Sequence, residues 1–268
     1  MITYPNIDPI AVSIPIPWTQ LHLPVRWYGL MYLFGLACAY LLGSYRAKKP
    51  NSGWTMDQVS DLVFYSAMGL VIGGRVGYML FYSAPVFFAE PLTLFKVWQG
   101  GMSFHGGILG AACSSWLFAR KYQKTFFQVI DFALPLTPIG LGAGRIGNFI
   151  GGELYGRITT VPWAMVFPRG GFLPRHPSQL YQCFLEGFVL FTVLWWYSSR
   201  PRPLGAISGL FFALYGIFRF LVEFVRQPDS QLNFILFNWV TMGQLLSFPM
   251  IILGVGMMCY AYRNKKQI

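Results

Sequence analysis

The amino-acid sequence predicts an all-α integral membrane protein, and three observations support this fold class. Only 11% of the 268 residues are charged and 55% are hydrophobic, whereas a soluble domain carries roughly 25% charged residues. Several apolar runs reach the roughly 20 residues that a helix needs to cross a bilayer. The basic residues fall in short clusters between these runs, a pattern typical of polytopic proteins that are oriented by positive charge.

The apolar runs predict about seven transmembrane helices in a single polytopic domain that comprises residues 1–268. The two longest connections, 83–103 and 151–179, contain prolines and aromatic residues and are expected to form small periplasmic elaborations. The two halves show no internal repeat, so an inverted-repeat transporter is not favoured. The predicted spans are 27–46, 60–82, 104–120, 126–150, 180–198, 204–225 and 240–262.

The distribution of Lys and Arg predicts a periplasmic N-terminus and a cytoplasmic C-terminus. Basic clusters follow the first, third, fifth and seventh spans, all on one side, which the positive-inside rule assigns to the cytoplasm. The loop 151–179 then lies in the periplasm although it carries three arginines, so these arginines predict a role other than orientation. The clusters are Arg46, Lys48, Lys49, then Arg120, Lys121, Lys124, then Arg200, Arg202, then Arg263, Lys265, Lys266; the loop arginines are Arg157, Arg169 and Arg175.

Several classes of protein are not favoured by the sequence. The net charge of +11 does not indicate a nucleic-acid partner, because the basic residues form no single patch. Neither an HExxH motif nor a Walker loop nor a dinucleotide fingerprint occurs, so no metal or cofactor is expected. No GxSxG elbow occurs, and the cysteines lie alone in apolar runs, which is typical of packing rather than of a catalytic thiol. They are Cys38, Cys113, Cys183 and Cys259.

Glycines four residues apart predict close packing between helices, because small residues let helix backbones approach each other in a membrane. Three such glycines lie on the second span, two on the third and two on the fourth. They are Gly69, Gly73 and Gly77, then Gly106 and Gly110, then Gly140 and Gly144.

Polar residues from five predicted spans fall at one depth, the outer leaflet. An ionisable group at bilayer depth costs on the order of 2.5–3.5 kcal/mol, so such groups are functional candidates. Asp131 falls in the inner half of the fourth span, away from this level. His22 and His176 fall in predicted loops and are interpreted as surface residues. The outer group comprises Tyr28, Arg75, His105, Arg145, Asn148, Glu153, Arg219, Glu223 and Arg226.

The spacing of this group predicts a site for a lipid phosphate. Arg145 and Asn148 share one helix face, and Arg219, Glu223 and Arg226 form one stripe on the sixth span. A guanidinium binds phosphate with two parallel hydrogen bonds, so arginines that converge at the headgroup level favour phosphate recognition.

Structural alternatives exist for each residue taken alone. Arg219 and Glu223 would also suit a buried ion pair, Arg75 would suit snorkelling or pairing with an acid, and His105 would suit a helix cap or an interface. The rival function is a seven-helix transporter or channel for an anionic solute, which would need polar groups that continue to the inner side. A receptor or a purely structural membrane protein leaves the convergent arginines unexplained.

Five blocks of the sequence, in order, resemble the bacterial prolipoprotein diacylglyceryl transferase family. The resemblance extends from about residue 4 to the C-terminus. The blocks are RWYGLMY (26–32), GGMSFHGGILG (100–110), GRIGNFIGGELYGR (144–157), RHPSQLYQ (175–182) and YGIFRFLVEFVRQPD (215–229).

The resemblance implies an enzyme of the bacterial inner membrane with seven transmembrane helices and a periplasmic active site. The family transfers the diacylglyceryl group from phosphatidylglycerol to the lipobox cysteine of a preprolipoprotein and releases glycerol phosphate, the first step of lipoprotein maturation. The implied partners are therefore membrane lipid and the signal peptide of the preprolipoprotein. The thiol of this second substrate supplies the nucleophile that the chain itself lacks.

The resemblance also implies roles for single residues. The sequence departs from the family motif at Gly151, where the family commonly has Asn. If the side-chain amide of that Asn contacts substrate in relatives, this chain lacks the contact. Three residues are candidates for the general base: His105, Glu153 and Glu223. The family's essential histidine matches His105, and its tyrosine near the first helix matches Tyr28. Its phosphatidylglycerol-binding arginine matches Arg145, and Asn148 and Glu153 belong to the same motif. Its second essential arginine matches Arg219, and Glu223 follows one helical turn later.

Overall fold

The computed structural model describes residues 2–5, 7–15, 22–228, 235 and 239–264. Lys265 and Lys266 of the last basic cluster, and Asp229 of the last resembling block, lie outside the described residues. The chain forms two compact units: unit 1 comprises Met1–Ala39 and Leu134–Ile268, and unit 2 comprises Tyr40–Ala133.

Helices dominate the described chain, and each predicted span coincides with helical structure. The second span begins earlier than predicted because Thr55 and Gln58 form a capping box at its N-terminus. The helices are α1 (Trp27–Ala47), α2 (Met56–Phe81), α3 (Ala84–Ala89), α4 (Phe104–Lys121), α5 (Phe126–Ala133), α6 (Thr137–Ile150), α7 (Ser178–Gln182), α8 (Leu190–Tyr197), α9 (Ala206–Glu223) and α10 (Met242–Asn264).

Six helical segments within the described ranges are long and apolar enough to cross a membrane, so the chain is a mostly helical, multi-pass membrane protein. The third predicted span, α4, is helical as expected but is not among the six. Its glycines and serines, with His105 near its start and Arg120 and Lys121 at its end, lower its hydropathy. The seventh crossing therefore stays a prediction. The six segments are Trp27–Ala47, Met56–Phe81, Phe126–Ile150, Ser178–Tyr197, Ala206–Glu223 and Met242–Asn264.

The expectation of an all-α fold is wrong near the N-terminus, where two strands form. β1 (Ile10–Pro15) pairs antiparallel with β2 (His22–Arg26), and Val12 lies opposite Val25. Ile and Val alternate along β1 with a period of two, which is the pattern of a strand rather than of a helix. His22, interpreted as a loop residue, is the first residue of β2.

Two of the predicted spans are interrupted rather than continuous α-helices. A 3₁₀ turn over Leu134–Leu136 separates α5 from α6, at a position where prolines 135 and 138 remove backbone donors. A π-helical segment, Cys183–Val189, joins α7 to α8. Insertions of this kind frequently occur at functional sites.

In unit 2, α2 and α4 pack through the predicted glycines. A methyl group added to Gly73 would lie 2.6 Å from the Cα of Gly110, and one added to Gly77 would lie 2.8 Å from the Cα of Gly106. Real side chains do not approach a backbone so closely, so the contact requires glycine on both helices. The predicted close approach through these residues is confirmed.

In unit 1, α6 packs through glycines on two faces. A methyl group on Gly35 of α1 would lie 2.7 Å from the Cα of Gly140, and one on Gly142 would lie 3.0 Å from the Cα of Gly187. The prediction that Gly144 joins a helix contact is wrong, because nothing lies within 4 Å of a methyl group built there. The face of α6 that carries Gly144 is therefore open at that residue.

The connection between α6 and α7 is folded onto the N-terminal tail and the end of α9. The Tyr4 hydroxyl donates to the carbonyl of Phe149 at 2.5 Å, which satisfies an end carbonyl of α6. The Tyr4 ring packs on Phe167, whose centroid lies 5.0 Å away. Backbone bridges join Gly156 to Arg226 and Met165 to Arg175. This elaboration of unit 1 thus has a small core of its own.

Candidate functional site

Arg145 lies on α6 and pairs with a carboxylate that the sequence analysis did not single out. Its Nη2 lies 3.3 Å from Oε2 of Glu186, and its Nε donates to the same oxygen at 3.4 Å. Glu186 comes from the π-helical segment and is fully buried. The signal was present in the sequence, because Glu186 is an acid inside an apolar predicted span, and such residues are functional candidates.

Glu223, at the end of α9, pairs with two arginines, as its helical spacing predicts. Its Oε1 lies 2.6 Å from Nη2 of Arg219 and accepts from Nη1 of Arg226 at 3.0 Å. Its Oε2 accepts from the hydroxyl of Thr241 at 2.7 Å. Both oxygens of this buried carboxylate are engaged, which favours a role in orienting arginines over a role as proton acceptor.

The two ion pairs belong to one electrostatic network in unit 1, called here the arginine cluster. Arg219 interacts electrostatically with Arg145 and with Glu186 as well as with its own partner. Tyr215, one helical turn before Arg219, lies within range of Arg145 and Glu186. The structure thus brings together two arginines that lie 74 positions apart in the printed sequence. The cluster comprises Arg145, Glu186, Arg219, Glu223 and Arg226.

Oε1 of Glu186 and Nη1 of Arg219, an acceptor and a donor of the arginine cluster, are buried without a hydrogen-bond partner among the residues that the structure describes. Buried polar atoms in folded proteins almost always have partners. Atoms left over beside two ion pairs are therefore available to a polar ligand.

Tyr28 and Asn148 lie on the elements that surround Arg145. Tyr28 begins α1, packs against Gly147 and interacts electrostatically with Arg145. Its hydroxyl lies 3.0 Å from the hydroxyl of Tyr32. Asn148 follows Arg145 by three residues on α6 and is buried. Both residues are thus placed in unit 1 with the arginine cluster.

Glu153 is not part of the arginine cluster. It forms an ion pair with Arg169 at 2.8 Å, and the two side chains are 53% and 62% exposed. An exposed pair of this kind contributes little to stability. Its backbone is nevertheless fixed, because the Gln179 amide donates to its carbonyl at 2.6 Å.

The other loop arginines bind backbone carbonyls. Arg157 donates to the carbonyls of Arg226 at 3.0 Å and Glu223 at 3.2 Å, and Arg175 donates to the carbonyl of Gly170 at 2.9 Å. These contacts tie the loop to the end of α9 and to itself. They give the arginines a structural role.

His105 belongs to unit 2, whereas the arginine cluster belongs to unit 1. It is the second residue of α4, whose N-cap Ser103 accepts from the backbone amide of Gly106 at 3.2 Å. The imidazole is exposed and stands edge-on to the ring of Phe104. A second histidine, His176, lies in the loop before α7, and burial lowers its pKa.

Arg75, also in unit 2, has a structural environment. It is only 4% exposed, and its guanidinium donates to five backbone carbonyls of the connector between α2 and α4. Carbonyls repel phosphate, so this arginine does not resemble an anion site. The acceptors are Thr93, Leu94, Lys96, Gly100 and Gly101.

Asp131 is another charged group inside a predicted span. It is 1% exposed in α5, and Arg46 interacts with it electrostatically. Arg46 also donates to the carbonyl of Phe132 at 2.8 Å. This pair lies in unit 2 and stabilises the end of α1 that carries the first basic cluster.

Comparisons with known proteins identify the family to which the chain is similar. Residues 15–260 match the family described as prolipoprotein diacylglyceryl transferase. A Coxiella burnetii (strain RSA 331 / Henzerling II) protein named phosphatidylglycerol–prolipoprotein diacylglyceryl transferase is 57% identical over 267 residues, which cover 100% of both chains. A relative with this name from Pseudomonas paraeruginosa is 55% identical, and the match covers 98% of this chain and 97% of the relative. A relative with this name from Vibrio campbellii is 59% identical, and the match covers 98% of this chain and 94% of the relative. The matched range includes the arginine cluster and His105.

Proposed function

The chain belongs to the prolipoprotein diacylglyceryl transferase family, and we propose that it transfers diacylglyceryl from phosphatidylglycerol to the lipobox cysteine of preprolipoproteins. The products are a thioether-linked lipoprotein precursor and glycerol phosphate, so this is the first step of lipoprotein maturation. One observation carries the proposal. Relatives that are 55–59% identical over nearly their whole lengths bear names that state both substrates.

The reaction needs no nucleophile from the enzyme. The thiolate of the substrate cysteine attacks the glyceryl carbon that is bonded to the phosphate oxygen. A carbon–sulfur bond forms, the carbon–oxygen bond breaks, and its electron pair leaves with the phosphate of glycerol phosphate. The thiol proton passes to a base. The enzyme therefore has two tasks, to stabilise the departing phosphate and to assist ionisation of the thiol.

Arg145 and Arg219 are proposed to bind the lipid phosphate and to stabilise its growing negative charge. Glu186 and Glu223 hold the two guanidinium groups at fixed positions before the lipid arrives. Donors that are oriented in advance stabilise a transition state without the cost of reorganisation. Nη1 of Arg219, which has no partner within the described chain, is the donor most directly available to a phosphate oxygen.

His105 is proposed as the base that accepts the thiol proton. A cysteine thiol has a pKa near 8.5, so at neutral pH it is mostly protonated and benefits from a base. Histidine titrates near neutral pH, and the exposed ring of His105 is accessible to a second substrate. Glu223 is less suitable because both of its oxygens are engaged. Glu153, which is exposed, is the remaining alternative.

Tyr28 and Asn148 are proposed to contact phosphatidylglycerol beside Arg145. Tyr28 presents a hydroxyl at the start of α1, and Asn148 presents an amide on the helix face of Arg145. Gly151 is the C-cap residue of α6 and has no side chain to add a further contact.

The topology proposed for the chain is that of an inner-membrane protein with seven crossings. We assign α4 as the seventh crossing because the basic clusters fall on one side of the membrane only if this segment spans it. The N-terminus and the connections 83–103 and 151–179 then lie in the periplasm, with the active site at the periplasmic level of a single membrane domain.

The direct test incubates purified enzyme with phosphatidylglycerol vesicles and a peptide that carries a lipobox cysteine. Mass spectrometry should detect the peptide with an added diacylglyceryl group in a thioether linkage. A peptide with serine in place of the cysteine should remain unmodified. If folded wild-type protein forms no thioether product under conditions in which one of the named relatives does, the proposed function is contradicted.

A pH profile tests the role of His105. If His105 is the base, its protonation stops the reaction, so the rate should fall as pH falls. His105→Gln should slow turnover by about 10²–10⁴-fold and leave phosphatidylglycerol binding nearly unchanged. The control is His176→Gln, because burial lowers the pKa of His176 and this residue has no proposed role in the reaction; its acidic limb should match that of the wild type. An unchanged acidic limb in His105→Gln would move the role to Glu153.

A further inference from the structure

Gln182, the last residue of α7, is fully buried, and neither of its amide atoms has a hydrogen-bond partner within the described part of the chain. A buried amide without partners destabilises a fold, so such groups are rare in native proteins. Gln179, three residues earlier, is partly satisfied, because its Nε2 donates to the carbonyl of Glu153 at 2.6 Å although its Oε1 is also buried without a partner in the described chain. The amide of Gln182 therefore points to a ligand that completes its hydrogen bonds.

The position of Gln182 associates it with the arginine cluster. It precedes Glu186 by four residues, about one helical turn. Its helix, α7, contacts α6 and α9, which carry Arg145 and Arg219. Gln182, Glu186 and Arg219 together present two acceptors and two donors that lack partners in the described chain. The acceptors are Oε1 of Gln182 and Oε1 of Glu186, and the donors are Nε2 of Gln182 and Nη1 of Arg219.

The mixture of donors and acceptors indicates the chemistry of the ligand. A phosphate only accepts hydrogen bonds, so it would satisfy the donors and leave both acceptors empty. An ammonium headgroup only donates, so it would satisfy the acceptors and leave Nε2 of Gln182 empty. A hydroxyl both donates and accepts. A phosphate that carries two hydroxyls therefore satisfies all four atoms.

We propose that Gln182, together with Glu186, recognises the glycerol hydroxyls of the phosphatidylglycerol headgroup and so determines headgroup specificity. The inference rests on the proposed function, in which this lipid is the substrate. One hydroxyl donates to Oε1 of Gln182 and the other accepts from its Nε2. Oε1 of Glu186 accepts from a hydroxyl, while Arg145 and Arg219 bind the phosphate.

The test compares phosphatidylglycerol with phosphatidylpropanol of the same acyl chains, which keeps the phosphate but lacks both hydroxyls. For the wild type, kcat/KM should be at least about tenfold higher with phosphatidylglycerol, because the analogue leaves buried polar atoms unpaired. Gln182→Met, which has a similar volume, should lose about tenfold with phosphatidylglycerol and stay within about twofold with phosphatidylpropanol. Without lipid, its melting temperature should equal or exceed that of the wild type, because an unpaired amide has been removed.

Equal loss with both lipids, or unchanged selectivity, would overturn the inference. Gln182→Leu should repeat the result, so a packing defect of one variant does not decide the outcome. Ser44→Ala is the matched control, because the Ser44 hydroxyl is also buried without a partner but belongs to unit 2; its selectivity should not change.

Binding separates this inference from the proposed function. The shift in the melting temperature of the protein on addition of each lipid measures headgroup preference even where no diacylglyceryl transfer occurs. A wild type that forms no thioether contradicts the proposed function, whereas equal thermal shifts for the two lipids contradict the headgroup inference alone.

Discussion

Two buried arginine environments, one in each unit, differ in what satisfies them. The guanidinium of Arg75 donates to five backbone carbonyls of one connector, and every contact lies within about 26 residues of chain. The arginine cluster instead pairs guanidinium groups with carboxylates, Arg219 with Glu223 on its own helix and Arg145 with Glu186 from another segment. It also retains a donor and an acceptor without partners in the described chain.

The difference separates a structural arginine from a binding one. An arginine whose N–H groups all donate to carbonyls has no donor available for an anion. Its loss removes the hydrogen bonds that hold the connector in place. An arginine oriented by a carboxylate is held in place while other donors stay available. Both kinds of arginine carry the same charge, so their partners distinguish them.

The largest effect is expected for substitution of Arg145. Arg145→Lys should lower kcat/KM by at least about 100-fold, nearly as much as Arg145→Ala, because lysine keeps the charge but lacks the planar pair of donors. Single-turnover assays at matched membrane insertion measure this. Full activity in Arg145→Lys would reduce the role of the residue to electrostatic attraction and would weaken the contrast with Arg75.

A smaller loss is expected for Glu186→Gln. The amide keeps the shape of the side chain but removes the carboxylate that holds Arg145, so the guanidinium loses its fixed orientation. Turnover should fall by about 10–100-fold, and stability should fall as well, because breaking a buried ion pair costs about 3–5 kcal/mol. Glu153→Gln, in an exposed pair, is the control and should change stability by less than about 1 kcal/mol. Equal effects in the two variants would show that burial of Glu186 is unimportant.

Arg75→Lys should affect stability rather than chemistry. A single ammonium cannot donate to five carbonyls, so several buried acceptors lose their partner, at a cost on the order of 1–3 kcal/mol. The melting temperature should fall, while turnover per folded molecule stays within about twofold. A loss of turnover as large as that of Arg145→Lys, in protein that remains folded, would place Arg75 in the reaction.

No effect is expected from removal of the cysteines. Cys38, Cys113, Cys183 and Cys259 are free and lie on separate helical segments, so a variant with serine or alanine at all four should keep activity within about twofold. Alkylation of wild-type enzyme before assay checks the same point independently. Inactivity in a correctly inserted variant would show that an enzyme thiol takes part.

The sequence predicted the site partly and unevenly. Arg219 and Glu223 were paired correctly because their spacing on one helix face determines their contact. Glu186 and Gln182 were missed because the residues around them form an apolar run. Glu186 nevertheless met the criterion that selected the other candidates, an ionisable group inside a predicted span. The partners of Arg75 are backbone carbonyls, which every residue carries and which no sequence pattern distinguishes.

Hydropathy and spacing determined by themselves that this chain is a mostly helical membrane protein and that Arg219 pairs with Glu223. These properties are local, because the bilayer acts on each segment separately and a helix turn relates residues three or four apart. The tertiary structure decided which carboxylate holds which arginine, where the helices break, and which buried polar atoms stay unpaired. Those outcomes depend on contacts between segments far apart in the chain, such as Arg145 with Glu186, and packing rather than local pattern selects them.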